Sequence, residues 1–265
     1  MQTILETIVE QKKKEVALIC QDPNWKAVFE SKSYFSKPCL SAKAFVLDKN
    51  KTGIIAEFKR QSPSKGKINT AESSVEKVVL GYQKGGASVV SVLTDKEFFG
   101  GTELDLQTAK EVLQIPVLRK DFIVDPVQVY QTKAMGADLM LLIAECLSKD
   151  QVYNLSKLAK EIGLEVLLEL HSEDQLEKLS PFIDMVGVNN RNLNTFEVDV
   201  EKSKSILKKL PSGMIKIAES GISDPKTVDE LSKSGFDGFL IGENFMKTND
   251  PAQSFADFVA QINKS

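Results

Sequence analysis

The chain has 265 residues, 42% of them hydrophobic, and a formal net charge of -3. It is too apolar for a disordered chain and too near neutrality for a nucleic-acid binder, and no apolar run is long enough to span a bilayer. One histidine and three cysteines (Cys20, Cys39 and Cys146), none in a C-x-x-C, leave neither a zinc pattern nor a disulfide framework, so the cysteines read as structural thiols of a cytoplasmic protein.

Residues 1–48 precede the first strand-like run. Ile4, Leu5, Ile8, Val9 and Val16 recur at helical spacing among acids, which predicts an amphipathic helix rather than a signal or transit peptide. Lys12, Lys13 and Lys14 read as its solvated face. A loop with Pro38 follows. The extension suits either of two places: capping one mouth of the fold and helping to close over a ligand, or covering its bottom.

From residue 54, eight short apolar runs recur: IIAEFK (54–59), SVVSVLT (88–94), PVLRKDF (116–122), LMLLIAE (139–145), EVLLELH (165–171), MVGVNN (185–190), IKIAES (215–220) and GFLIGE (238–243). Each is followed by a segment of helical period, such as 70–87, 125–137 and 224–235, with Asp or Thr near the start and Gly near the end as caps. Alternating strand and helix predicts right-handed βαβ units on a parallel sheet. Eight units in roughly 220 residues predict a closed (β/α)8 TIM barrel, one domain over 1–265 with 1–48 as an N-terminal helical extension. The alternative, an open doubly wound sheet, lacks its glycine fingerprint after the first strand.

Strands buried on both faces should be almost wholly apolar, yet these runs end in polar side chains at one end, where a barrel keeps its chemistry. Side-chain parity sorts them. Glu57 and Lys59 share a face with Ile55, Lys120 with Leu118, Glu169 with Leu167, Asn189 with Arg191, and Glu219 with Ile217. If those faces point inward, three carboxylates meet three cations, a balance that makes burial tolerable. A structural ion-pair network would leave the same pattern.

The loops point to a phosphorylated small-molecule ligand. Gly221 follows the seventh run and Gly242 ends the eighth, where backbone N–H groups can meet an anion. SPSKGK (62–67) lacks P-loop spacing, which argues against a nucleoside triphosphate; it reads as a mobile active-site loop. The only histidine, His171, closes the fifth run and reads as a hydrogen-bonded loop residue, so Lys and Glu must do the proton work. A metal held by Glu57, Glu169 and Glu219 is disfavoured by the neighbouring lysines.

The segments EFKRQSPSKG (57–66), LRKDF (118–122), NNRNL (189–193), AESGI (218–222) and LIGE (240–243), with I-L-x-x-I-V-x-x-K at the N-terminus, resemble indole-3-glycerol phosphate synthases of tryptophan biosynthesis, in register through the whole barrel. The resemblance implies a cofactor-free ring closure of 1-(2-carboxyphenylamino)-1-deoxyribulose 5-phosphate with loss of carbon dioxide and water. It makes Lys120 the general acid on the ketone oxygen, its pKa brought nearer neutrality by desolvation. Glu169 becomes the base in the dehydration, Lys59 a phosphate ligand or second proton donor, and Glu57 and Glu219 the carboxylates that orient the lysines. Asn189 lies near the reacting centre, Arg191 and Ser220 near the substrate carboxylate, and Ser62 with the substrate. Phe99, Phe122 and Pro63 form an apolar wall for the anthranilate ring. Phosphate falls to Lys59, Gly221, Gly242 and the backbone around Glu243, which stands where many members carry Ser. No metal is implied, and a monomer is expected, with other enzymes of the pathway as conceivable partners. Two rivals keep part of this pattern: a class I aldolase with Lys120 or Lys59 as Schiff-base nucleophile, and a non-enzymatic phosphosugar-binding barrel.

Overall fold

The computed structural model describes residues 3–63, 65–68, 74–190 and 200–262, with 200–202 by backbone alone. All eight apolar runs form strands: β1 (Ile54–Phe58), β4 (Val89–Leu93), β5 (Val117–Lys120), β6 (Leu139–Ile143), β7 (Glu165–Leu170), β8 (Met185–Asn189), β9 (Ile215–Glu219) and β10 (Gly238–Ile241). They pair in parallel in the order β1-β10-β9-β8-β7-β6-β5-β4, and the pairing of β4 back to β1 closes the barrel. Two short strands, β2 (Gln61–Ser62) and β3 (Gly66–Lys67), form an antiparallel hairpin beyond β1, in the segment read as an active-site loop. Ser64 at its tip lies outside the described residues.

Alternation along each strand builds two cores. Ile55, Leu118, Leu141, Leu167, Met185, Ile217 and Leu240 fill the barrel interior. Ala56, Val92, Met140, Val166, Val188 and Phe239 point outward against the helices. At roughly 1.5–3 kcal/mol for each large aliphatic side chain buried, these layers supply the main driving force for closure.

The helices between strands are α4 (Val75–Lys84), α5 (Glu103–Val112), α6 (Pro126–Met135), α7 (Lys149–Glu161), α8 (Val200–Leu207) and α9 (Pro225–Lys233), with α10 (Glu243–Met246) and α11 (Pro251–Ile262) after β10. Asp125 caps α6 by accepting the Val127 N–H, and Gly136 ends it at φ 93°, a left-handed turn that glycine takes without strain. Two local expectations change. Ser74 caps α4, whereas Thr70 lies outside the described residues. Between β7 and β8 the chain forms a 3-10 stretch, Glu173–Lys178, in place of an α-helix. Residues 171–184 are a short crossover, and Pro181 within it cannot donate to a helical ladder.

The extension serves both ends of the barrel. Helix α1 (Ile4–Ile19) lies over the carboxyl ends of the strands, where Ile4, Leu5 and Ile8 line the central cavity. Helix α2 (Trp25–Glu30) packs on α6, with the Trp25 ring 5.4 Å from that of Tyr130. The chain then runs to the opposite end, where Ala42 and Val46 of α3 (Ala42–Val46) join the interior core. The Pro38 loop therefore belongs to the bottom and not to the ligand mouth. Its neighbours Leu40 and Ser41 donate to Asp138 and Glu165, acids at the amino ends of β6 and β7. Lys12 is also corrected: it is 3% exposed, so only Lys13 and Lys14 form the solvated face. No described helix is long and apolar enough to cross a membrane.

Candidate active site

Six of the strand-end groups singled out by parity meet at the carboxyl mouth. On β1, Glu57 is nearly fully buried and ion-pairs with both lysines, Lys59 at 2.7 Å through Oε1 and Lys120 at 3.0 Å through Oε2. Lys120, at the end of β5, is also 3.8 Å from Glu219 of β9. Across the mouth, Glu169 of β7 accepts a hydrogen bond from the Asn189 amide of β8 at 2.8 Å. Arg191 lies outside the described residues.

Burial pushes the Glu57 carboxyl up, but Lys120 and Lys59 outweigh it and hold the group at about 2. Burial likewise pushes Lys120 down, yet the charges of Glu57, Glu219 and Glu169 more than offset this and leave it above the ordinary lysine range. That corrects the expectation of a lysine brought nearer neutrality: the carboxylates count for more than the desolvation. The two remaining acids move apart. Glu169 also loses solvent, but His171, Lys120 and Asn189 keep it ionised, below the usual carboxylate range. Glu219 is raised by burial and by the Glu169 charge, and neither of its oxygens receives a hydrogen bond. Lys120 at 3.8 Å favours an ionised Glu219, but at that distance it does not overcome burial beside a second carboxylate. The mouth therefore gathers two lysines and three carboxyl groups, two of these held below and one raised above the ordinary carboxylate range, a set able to donate and accept protons side by side.

Glycine lets these groups approach. A Cβ at Gly187 would lie 1.9 Å from Glu219 Oε1, and one at Gly242 would lie 2.4 Å from Glu57 Oε1. Ser220 and Gly221 both take positive φ, 68° and 72°, so the turn after β9 runs along the wall of a cavity of about 410 Å³. Gly221, Gly242, Ser62 and Pro63 also line that cavity. Glu243 lines it as well, and its side chain pairs with Lys65 of the hairpin at 2.8 Å. The Phe99 and Phe122 rings stand 5.9 Å apart in the same wall.

Lys12 and His171 contribute more than their sequence readings allowed. Lys12 Nζ lies 2.9 Å from Asp95 and 3.1 Å from Asp121, next in sequence to Lys120. Asp95 accepts the N–H groups of Phe98 and Phe99, and Asp121 accepts that of Phe122. A single lysine thus ties α1 to both aromatic walls. The signal was present: Lys12 falls at four-residue spacing between Ile8 and Val16, all three buried. His171 is buried beside Glu169. Among the described residues no group of His, Cys, Asp and Glu is arranged to hold a metal, and Lys59 and Lys120 stand against the carboxylate a cation would use first.

Residues 5–258 match the family model described as indole-3-glycerol phosphate synthase. The chain is 45% identical over 262 residues to the indole-3-glycerol phosphate synthase of Bacteroides thetaiotaomicron, covering 99% of this chain and 100% of that protein. The Thermoanaerobacter pseudethanolicus protein of the same name is 40% identical over 260 residues, 97% of this chain and 98% of its own. Among solved structures, the tryptophan synthase subunit alpha from Legionella pneumophila superposes with a TM-score of 0.62 at 13% identity, over 85% of this chain and 98% of that one, a likeness of fold.

Proposed function

The chain belongs to the indole-3-glycerol phosphate synthase family, and from that premise we propose how the side chains at its barrel mouth share the work of the reaction. The enzyme is a carboxy-lyase that closes the pyrrole ring of 1-(2-carboxyphenylamino)-1-deoxyribulose 5-phosphate and releases carbon dioxide and water. Lys120 is the general acid. Its ammonium protonates the ketone oxygen as the anthranilate ring carbon attacks, and Glu57 and Glu219 hold that ammonium in place. Glu169, kept ionised, takes the proton lost in the dehydration. Lys59 serves the phosphate or donates the second proton, and Asn189 fixes the carboxylate of Glu169. Arg191 and Ser220 take the substrate carboxylate, where a guanidinium fork suits two oxygens. Ser62 adds a further polar contact to the substrate.

Phosphate is received by backbone N–H groups at Gly221 and Gly242 and around Glu243. The acid of Glu243 is kept from the anion by its pairing with Lys65. Phe99, Phe122 and Pro63 hold the aromatic ring over the ketone, so that freedom lost on binding becomes rate. The chemistry needs no cofactor, since carboxylates and ammonium groups supply each proton transfer. We further infer a single domain over 1–265, acting as a cytoplasmic monomer on a soluble sugar phosphate.

The observation that carries this assignment is the ion pairing of Lys120 with Glu57 at the mouth of a cavity that also contains Glu169. Incubating the purified protein with the carboxyphenylamino ketose phosphate, without metal or nucleotide, should raise indole fluorescence. Lys120→Ala should bind that substrate and not turn it over, and near wild-type rates would overturn the assignment. Borohydride with substrate should trap no adduct, whereas a Schiff-base aldolase would leave one on lysine.

A further inference from the structure

Glu169 and Glu219 stand on β7 and β9, brought together across Gly187 of the intervening strand. Two carboxyl groups so placed are harder to ionise together, and a reaction that needs one of them as base also needs something that favours that one. Lys120 does not single out Glu169, because it acts most on Glu57, next on Glu219, 3.8 Å away, and least on Glu169. The asymmetry comes from the other side. Asn189 donates to Glu169, and Nε2 of His171 lies 3.0 Å from the same oxygen, while neither oxygen of Glu219 receives a hydrogen bond.

His171 lies two residues beyond Glu169 and shares its inward parity. Its main chain is pinned: its N–H donates to Gln175 Oε1 at 2.7 Å, and the Gln175 amide bonds Glu145. The imidazole is buried, and neither nitrogen has an aligned hydrogen-bond partner, so its contact with Glu169 is an electrostatic one. A buried ring with two unsatisfied nitrogens is costly to keep unless that contact is used. We propose that His171 is a positioning residue for the ring closure, holding the Glu169 carboxylate so that it, and not Glu219, serves as the base of the pair.

This rests on the assignment of Glu169 as base. The other groups that bear on Glu169 are Lys120 from β5, Glu219 from β9, the Asn189 amide from β8 and Cys146 from the connection after β6. Behind Cys146 lie Glu145 and Lys178. Lys120 and Asn189 favour ionised Glu169 as His171 does, but Lys120 also serves Glu219, which leaves His171 and Asn189 to separate the pair.

The test is steady-state kinetics of the full chain with the carboxyphenylamino ketose phosphate from neutrality down to roughly pH 2.5, with circular dichroism marking the range in which the fold persists. Removing the imidazole removes an interaction with the ionised form, so Glu169 takes up its proton at higher pH. In His171→Ala the acid limb of kcat should move up by about one pH unit, a tenfold change in the ionisation constant, with kcat lowered about tenfold and KM within about twofold. His171→Gln, which keeps a donor, should recover part of both losses. Should His171→Ala melt below the assay temperature, His171→Phe fills the same space without nitrogen and carries the same expectation. A folded variant whose acid limb and kcat coincide with wild type overturns the proposal. Glu169→Gln separates the two levels: if it keeps turnover, the base assignment itself falls, and if it is inactive while His171→Ala is unshifted, only the role of His171 does.

Discussion

Gly187 shows how far a single residue can set the chemistry. It touches no substrate, but its missing Cβ is the space that Glu219 Oε1 occupies. Gly187→Ala must displace that carboxyl, and a misplacement of about 1 Å near reacting groups can cost about a hundredfold. We expect kcat to fall on that scale, with thermal stability less affected because the acid can swing into the cavity; both are read by steady-state assay and a melting curve. Nothing in the run MVGVNN marks this glycine, since the acid it admits comes from another strand. Parity did reveal Glu57, Lys59, Lys120, Glu169, Asn189 and Glu219, because period 2 along a strand maps sequence directly onto inside and outside. The direction of the Lys120 shift was not legible. Burial can be read from one strand, but the number of carboxylates around the ammonium depends on how three others meet it.

Helix α1 carries the same lesson one level up. The period of Ile4, Ile8 and Val16 announced a buried stripe, and Lys12 sits within it, which becomes intelligible only once Asp95 and Asp121 come from the ends of β4 and β5 to meet it. Removing one member of a buried ion cluster leaves charges without a partner, at a cost of about 3–5 kcal/mol. Lys12→Met should therefore lower the melting temperature and raise KM, since Ile4, Leu5 and Ile8 of the same helix and the Phe99 and Phe122 walls lose their common tie. The pH dependence has a definite sign. Burial raises Asp121, but Arg119 and Lys12 outweigh it and hold its carboxyl at about 2 against an ordinary 3.8. Its stabilising contribution is complete above the ordinary value and is lost as pH falls through about 2. Without Lys12 that carboxyl is depressed less, so the acid-linked part of the stability should be smaller and be exhausted at a higher pH, which melting curves in acid will show. The 3-10 stretch after β7 escaped the sequence for a different reason: its polar and apolar residues keep helical spacing, while the shortness of the crossover and Pro181 forbid a full helix.

At the scale of the molecule, the extension is fastened to the barrel at both ends. Lys12 holds α1 to the mouth, and at the bottom Ser41 and the Lys43 N–H donate to Glu165 while the Leu40 N–H donates to Asp138. The single tryptophan, Trp25, lies between these anchors on α2, stacked edge-on against Tyr130 of α6. Its fluorescence therefore reports whether the extension is docked, whereas far-ultraviolet circular dichroism is dominated by the barrel. If the extension and barrel are one cooperative unit, denaturant should shift both signals together, as two-state unfolding requires. Glu165→Ala removes the acceptor for Ser41 and Lys43, and combined with Lys12→Met it leaves α2 held by its own packing, with the Leu40–Asp138 hydrogen bond and the α3 core contacts below it. In that double variant the tryptophan transition should come at lower denaturant than the dichroism transition, since a segment that opens alone does so at a fraction of the global free energy. Separate transitions in the wild-type protein would show instead that residues 1–48 fold as an appendage. The closure of the mouth by α1 would then be a binding equilibrium of its own rather than a property of the barrel.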